Sequence, residues 1–241
     1  MTSDDALTAA LDEMASSTDR VLATVDRFDD NDVRQPSLLP GWTRGHVLTH
    51  LARSADGMVN LVQAARTGDG QVMYPGGREG RAADIEAGAG RHLGDLRLDL
   101  AEAAERLLSA FADDLPPEAR DREVTLSSGA TAYGWEIPLL RTREVEIHHV
   151  DLAAGYTPAD WTAEFAARTL DHLAPFFRGA RDCPVATLVA SDSDGRWEVA
   201  ADGPELAGPA RELAAWLVGR SSGDGLRVSG GGETPVAPRW A

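Results

Sequence analysis

Four long segments of the chain repeat apolar residues every three or four positions, and this spacing predicts four amphipathic helices. They are residues 4–28, a segment that begins after Thr43 and closes at residues 68–70, a segment from Leu93 to Phe111, and residues 138–152. The glycine-rich residues 74–80 are expected to form a loop, and residues 122–133 a short extended segment. Because each helix has one apolar stripe, the pattern predicts a four-helix bundle, whose functional sites lie between facing helices.

The chain changes character after Gly155. A helix over residues 162–178 is followed by a predicted hairpin, with strands at 185–190 and 196–200. A further helix over 204–219 and a last strand at 226–229 complete a small α/β unit. We therefore expect an α+β protein, with a helical bundle over residues 1–155 and a small α/β domain over residues 156–241.

Composition narrows the possible partners and location. The formal net charge of -16 and the pI of about 4.7 argue against nucleic acid and anionic membranes as partners. The acidic N-terminus and the absence of a long apolar run predict a cytoplasmic protein, which we expect to be a monomer. Cys183 is the single cysteine, and no cation flanks it, so it is expected to be a structural thiol rather than a nucleophile.

The segment around residue 144 contains the residues with the clearest chemistry. Pro138 fits the first turn of a helix, on which Glu144 and His148 are four residues apart and therefore share one face. Such a pair can hold a divalent cation, although an ordinary charge pair on a helix surface has the same spacing. His149 is rotated by about 100° from His148 and is not expected to face the same ion.

A second helix supplies another candidate ligand. His50 lies beside its apolar stripe, where a histidine either binds an ion or is simply a hydrogen-bonded core residue. Together, His50, Glu144 and His148 form a set of two histidines and one carboxylate. Three protein ligands leave a coordination position open, as in catalytic zinc sites. His46, one turn earlier, remains without an assigned role.

Two sequence runs resemble the signatures of the mycothiol-dependent maleylpyruvate isomerase family, which belongs to the DinB-like metalloenzymes. They are GWTRGHVLTHL at residues 41–51 and REVEIHHVDL at residues 143–152, and the ending PVAPRW at residues 235–240 is also similar. The resemblance implies a DinB-like bundle followed by a small α/β domain. It also implies that zinc is bound by His50, Glu144 and His148.

The resemblance further implies a reaction, the cis–trans isomerisation of maleylpyruvate to fumarylpyruvate. Mycothiol adds to the double bond, the new single bond rotates, and elimination releases the trans product. A dicarboxylate substrate needs cationic anchors, and the family points to Arg81 and Arg220, with Arg78 as a rival of Arg81; Arg220 is also expected to contact the cofactor. Asp151 is a candidate to orient a ligand histidine.

Two other functions remain open at this point. The chain could be a mycothiol S-transferase that acts on another electrophile, in detoxification or natural-product biosynthesis. It could also be a binding protein that retains the bundle without catalysis. His149 stands where the second signature is expected to have a small residue, a departure that could alter the substrate while leaving the metal in place.

Overall fold

The structure, a computed structural model, describes residues 3–112, 115–178 and 183–238. The chain forms two compact units, residues 1–154 and residues 155–241. In the described part of the chain, no helix combines the length and the apolar character that crossing a lipid bilayer requires.

Helices dominate the first unit, and the α+β fold class predicted from the sequence is confirmed. The helices are α1 (Ser3–Val25), α2 (Arg44–Thr67), α3 (Gly77–Ala89), α4 (Leu93–Ser109), α5 (Pro117–Arg120) and α6 (Ile137–Asp151). Two short strands, β1 (Glu123–Thr125) and β2 (Thr131–Tyr133), form an antiparallel hairpin in the predicted extended segment. Helices α1, α2, α4 and α6 correspond to the four predicted stripes, and their apolar faces form the core.

Helix α3 corrects one prediction, because the glycine-rich stretch at 74–80 is not a loop throughout. The helix begins at Gly77 and buries Ile85 and Ala89 against α2. Close approach to α2 makes this possible, since a Cβ atom on Gly45 would lie 2.2 Å from the carbonyl oxygen of Ala89. Packing against a neighbouring helix therefore stabilises a segment whose own helix propensity is poor.

The second unit is a small sheet with two helices. It contains α7 (Ala163–Phe177), β3 (Thr187–Ala190), β4 (Arg196–Glu198), β5 (Glu205–Gly208), α8 (Ala210–Leu217) and β6 (Arg227–Val228). The strands are ordered β4-β3-β5-β6, with β3 and β5 parallel and the other pairs antiparallel. The predicted ending motif at residues 235–240 lies partly outside the described residues, which stop at 238.

The predicted helix over residues 204–219 is wrong in its first part. Residues 205–208 form strand β5, and the helix starts only at Ala210, after Pro209 at the N-cap. Leu206 is fully buried beside Leu188 of the neighbouring parallel strand. Pairing with β3 therefore decides the conformation of a segment whose composition is compatible with a helix.

The contact between α2 and α3 gives a first testable prediction. A Gly45→Ala substitution should lower the free energy of unfolding by about 1–3 kcal/mol, because the new methyl group would overlap the backbone of α3. Gly94→Ala is the matched control, since nothing lies within 4 Å of its added Cβ atom and the helix gains propensity. Denaturant unfolding measures both variants, and equal stabilities would contradict the packing of α3 on α2.

Candidate metal centre

The N-terminus of α2 places His50 in the second turn of the helix. Thr43 is the N-cap; its hydroxyl accepts a hydrogen bond from the backbone N–H of His46, and its own N–H donates to His46 Nδ1 at 3.1 Å. His46 therefore works as a capping residue, and its Nε2 lies 3.2 Å from Glu86. The ring of Trp42 packs on both histidines, with centroid distances of 6.0 Å to His46 and 5.7 Å to His50.

The same segment holds the C-terminus of α6. Arg44 Nε donates to the carbonyl oxygen of Leu152 at 2.7 Å, and Arg44 Nη2 donates to that of Ala153 at 3.0 Å. The backbone N–H of Leu38 donates to the carbonyl oxygen of Asp151 at 2.9 Å. A guanidinium at a helix C-terminus satisfies carbonyls that lack partners within the helix and interacts favourably with the helix dipole. These bonds fix the start of α2 against the end of α6.

As a result, His50 of α2 meets Glu144 and His148 of α6. Glu144 Oε2 lies 3.2 Å from His50 Nε2 and 3.8 Å from His148 Nε2. The two imidazole rings are 4.4 Å apart between centroids and nearly perpendicular, at 86°. One donor atom from each of the three residues lies within 4.8 Å of the others. Two nitrogens and one carboxylate oxygen that converge in this way suit a zinc ion, which accepts these ligand types.

Burial and mutual charge keep these donors ready to bind a cation. Burial, with the charges of His148 and Arg81, lowers the pKa of His50 to about 4, so this imidazole is neutral near pH 7. Burial alone would raise the pKa of Glu144, but its hydrogen bond with His50 and the charges of His148 and Arg143 hold it well below its usual value. Because metal ligands must be deprotonated, a neutral imidazole and an ionised carboxylate have the net charges that binding needs.

His148 has a carboxylate behind it. Its Nδ1 lies 2.7 Å from Oδ2 of Asp151, which is fully buried. A carboxylate in this position accepts a hydrogen bond from Nδ1–H and leaves the Nε2 lone pair directed towards Glu144. The geometry therefore agrees with the orienting role predicted for Asp151.

At His50 the partner of Nδ1 is the guanidinium of Arg81, whereas at His148 it is a carboxylate. Arg81 Nη2 lies 2.9 Å from His50 Nδ1, and because a guanidinium only donates hydrogen bonds, Nδ1 is the acceptor. A neutral imidazole that accepts at Nδ1 has its proton on Nε2, so binding an ion through Nε2 would require Arg81 to move off Nδ1. Arg78, the rival of Arg81, is exposed and lines a separate cavity of about 620 Å³.

Comparison with known proteins places the chain in a family. Residues 5–153 match the mycothiol maleylpyruvate isomerase N-terminal domain, and residues 160–239 match the MDMPI C-terminal domain. The chain belongs to the mycothiol maleylpyruvate isomerase family. The resemblance drawn from the two signatures is thus confirmed, and the prediction that the chain is an enzyme is confirmed with it.

Solved structures agree with this assignment. The crystal structure of a mycothiol-dependent maleylpyruvate isomerase superposes with a TM-score of 0.89 at 28% identity, and the match covers 100% of both chains. The structure of a histidine-to-alanine mutant of a mycothiol-dependent maleylpyruvate isomerase gives the same values. No curated protein matches the chain at a significant level.

Other histidines and the cysteine have different surroundings in this isomerase-family chain. His149 is buried, and its Nε2 lies 2.8 Å from the hydroxyl of Thr24 on α1. Cys183, in the second unit, is buried, and burial raises the pKa of its thiol, as expected for a structural cysteine. Arg220, also in the second unit, donates through Nη1 to the carbonyl oxygen of Val218 at 2.6 Å.

Arg141 is a buried cation that the sequence patterns did not single out. Its side chain is 1% exposed, and Nη1 donates to the carbonyl oxygen of Leu51 at 2.8 Å. Its Nε and Nη2 atoms find no hydrogen-bond partner in the part of the chain that the structure describes. Burial lowers its pKa to about 10, against the opposing charges of Glu144, Tyr74 and Asp56. No sequence signal distinguishes such a residue from the surface arginines of a helix.

The incomplete hydrogen bonding of Arg141 generates a prediction. In zinc-loaded protein, Arg141→Met should leave the free energy of unfolding unchanged or raise it by about 1–4 kcal/mol, because an apolar side chain of similar length removes a poorly compensated buried charge. Arg44→Met is the control and should destabilise the protein, since Arg44 bonds two helix-terminal carbonyls. Denaturant unfolding measures both, and a marked loss of stability in Arg141→Met would show that the buried guanidinium is well compensated after all.

The pair of His148 and Asp151 generates another prediction. Asp151→Asn should weaken zinc binding by about 10- to 100-fold, because an amide that donates to Nδ1 moves the imidazole proton to Nε2. Competition with a chromophoric chelator measures the affinity. Asp26→Asn, at an exposed pair with Arg97, is the control and should not change it. An unchanged affinity in Asp151→Asn would exclude the orienting role.

Proposed function

We propose that this protein is a zinc- and mycothiol-dependent cis–trans isomerase that converts maleylpyruvate into fumarylpyruvate. The observation that carries the proposal is the convergence of His50, Glu144 and His148, in a chain that aligns over its full length with a mycothiol-dependent maleylpyruvate isomerase. His50, Glu144 and His148 would hold the ion. Zinc, when bound, supplies a Lewis acid that keeps a thiol sulfur as thiolate at neutral pH.

The reaction needs a nucleophile that comes from outside the chain, since Cys183 is buried with a raised pKa. The mycothiol thiolate forms a carbon–sulfur bond at the double bond, whose electrons move onto the conjugated carbonyl group. Rotation about the resulting single bond precedes expulsion of the thiolate, which restores the double bond in its trans form. The thiol is returned unchanged.

The chain's own residues have separate tasks in this scheme. Asp151 holds the proton of His148 at Nδ1 and so keeps Nε2 free. Arg81, beside His50, is proposed to bind a carboxylate of the substrate as it leaves the imidazole. Arg220 is proposed, from the family resemblance, as the second anchor and as a contact for mycothiol. His50 is buried and Glu144 is partly buried, and this partial shielding from bulk water strengthens these electrostatic interactions.

The net charge of -16 supports the proposal that the protein binds neither nucleic acid nor anionic membranes. The monomeric state and the cytoplasmic location stay predictions. An S-transferase would use the same centre and the same thiol, and it differs only in releasing a conjugate rather than an isomer.

Zinc analysis combined with a product assay tests the proposal. Purified protein should contain about one zinc per chain and should convert maleylpyruvate to fumarylpyruvate only when mycothiol is present. His50→Ala should lose both the zinc and the activity. His46→Ala is the matched control, and it should retain zinc while losing about 1 kcal/mol of stability with its cap.

Each alternative has its own result in that assay. Protein without zinc, even after zinc supplementation, would contradict the metal centre. A mycothiol conjugate that accumulates with a generic electrophile, while maleylpyruvate is not isomerised, would identify an S-transferase. Retention of the biological activity in a zinc-free His50→Ala variant would indicate a non-catalytic binding protein.

A further inference from the structure

The segment between α2 and α3 is fixed against α2 by specific contacts. Asn60 of α2 donates through Nδ2 to the carbonyl oxygen of Met73 at 3.0 Å, and its Oδ1 accepts from Gln71 Nε2 at 3.0 Å. The side chain of Met73 is buried in the core of the first unit. These contacts determine where the next residue, Tyr74, can place its ring.

Gly57 makes room for that ring on α2. A Cβ atom at this position would lie 2.7 Å from Cε1 of Tyr74 and 3.1 Å from its Cζ. Real Cβ atoms almost never approach another atom this closely, so only glycine leaves room for the Tyr74 ring at its present position. A glycine inside a helix lowers the stability of the helix by about 1 kcal/mol relative to alanine. The close packing of the Tyr74 ring explains why glycine occupies this position.

The Tyr74 ring in turn contacts Arg81. The guanidinium carbon of Arg81 lies 5.6 Å from the ring centroid, within the range of a cation–π interaction, and Arg81 Nη2 reaches His50 Nδ1 at 2.9 Å. The electrostatics agree, because burial raises the pKa of Tyr74 while the nearby Arg81 lowers it. Arg81 is a long side chain on a helix with Gly77 and Gly80 in its first turn, so its own helix does little to fix its rotamer.

We propose that Tyr74 is a positioning residue that holds Arg81 beside His50, and that Gly57 sets the position of the Tyr74 ring. The placement of Arg81 at the centre is independent of the proposed function, and only its use in binding substrate rests on that function. Tyr74 is also one of the residues that line the cavity of about 620 Å³.

Zinc alone is a suitable probe of the position of Arg81. Arg81→Ala removes a cation and a competing donor from His50, and it should tighten zinc binding roughly tenfold in a chelator competition. Tyr74→Leu and Gly57→Ala should tighten it in the same direction by a few fold, since they release or displace Arg81 without touching a ligand. Gly94→Ala, the helical glycine with open space around it, should leave the affinity unchanged.

A double variant separates positioning from general packing. If Tyr74 acts through Arg81, Tyr74→Leu should have no further effect on zinc affinity in the Arg81→Ala background. Tyr74→Phe keeps the ring but loses the hydroxyl that also hydrogen-bonds Arg81, so its zinc affinity should lie between those of the wild type and Tyr74→Leu. Thermal unfolding verifies that each variant folds. Equal effects of Tyr74→Leu in both backgrounds, or no effect of Arg81→Ala, would overturn the proposal.

A second measurement needs neither metal nor substrate. In zinc-free protein, the ¹⁵N chemical shift of His50 Nδ1 reports the hydrogen bond from Arg81, and it should move in the same sense in Arg81→Ala, Tyr74→Leu and Gly57→Ala. An unchanged shift in the last two variants would overturn the proposal. Failure of the wild-type protein to isomerise maleylpyruvate would instead refute the proposed function and leave this result intact.

Discussion

The attachment of Arg44 to the end of α6 is the interaction on which the candidate centre depends. The ligands lie on helices whose sequences are almost a hundred residues apart, and no short connection aligns them. The guanidinium donates to the carbonyl oxygens of Leu152 and Ala153, which the helix itself leaves without partners. Because His50 follows Arg44 by six residues and His148 precedes Leu152 by four, this junction helps to set the distance between the two imidazoles. The bond from Arg141 to the carbonyl oxygen of Leu51 joins the same two helices beside His50.

Most residues of the signature at 41–51 therefore have a structural role rather than a catalytic one. Trp42 packs against the rings of His46 and His50, Thr43 and His46 cap the helix, and Arg44 binds α6. Gly45 allows α3 to approach, so Arg81 can reach the centre. Only the last histidine offers a ligand atom to the cluster. A motif that looks catalytic in sequence thus consists largely of residues that bring three helices to one point.

The sequence predicted the bundle because each long helix has one apolar stripe, a local pattern that burial reproduces. It did not predict α3 or β5. Both depend on a partner that is distant in sequence: α3 on the close approach at Gly45, and β5 on parallel pairing with β3. The periodicity of a single sequence contains no information on such a distant partner. The glycines at the start of α3 and Pro209 after β5 are also residue types that are typical of loops.

The candidate site divides in a similar way. The donor residues His50, Glu144 and His148 were predicted as a set, from helical spacing and family signatures, because ligand type and spacing are written in the sequence. The choice between Arg81 and Arg78 was open, since the two side chains differ by less than one helical turn and only the packing of α3 separates them. Arg141 was missed, because burial of a single arginine depends on the depth of α6 in the bundle.

Charge provides the clearest contrast between the surface and the centre. The chain has a net charge of -16, yet Arg81, Arg141 and Arg143 all lie close enough to Glu144 or His50 to influence the pKa values there. Bulk solvent screens the many exposed carboxylates, whereas buried cations act through a medium of lower dielectric constant. The buried Arg141 and the partly buried Arg81 and Arg143 can therefore outweigh the acidic surface at the centre itself. The local electrostatics of this centre consequently depend on residues that contribute little to the overall composition.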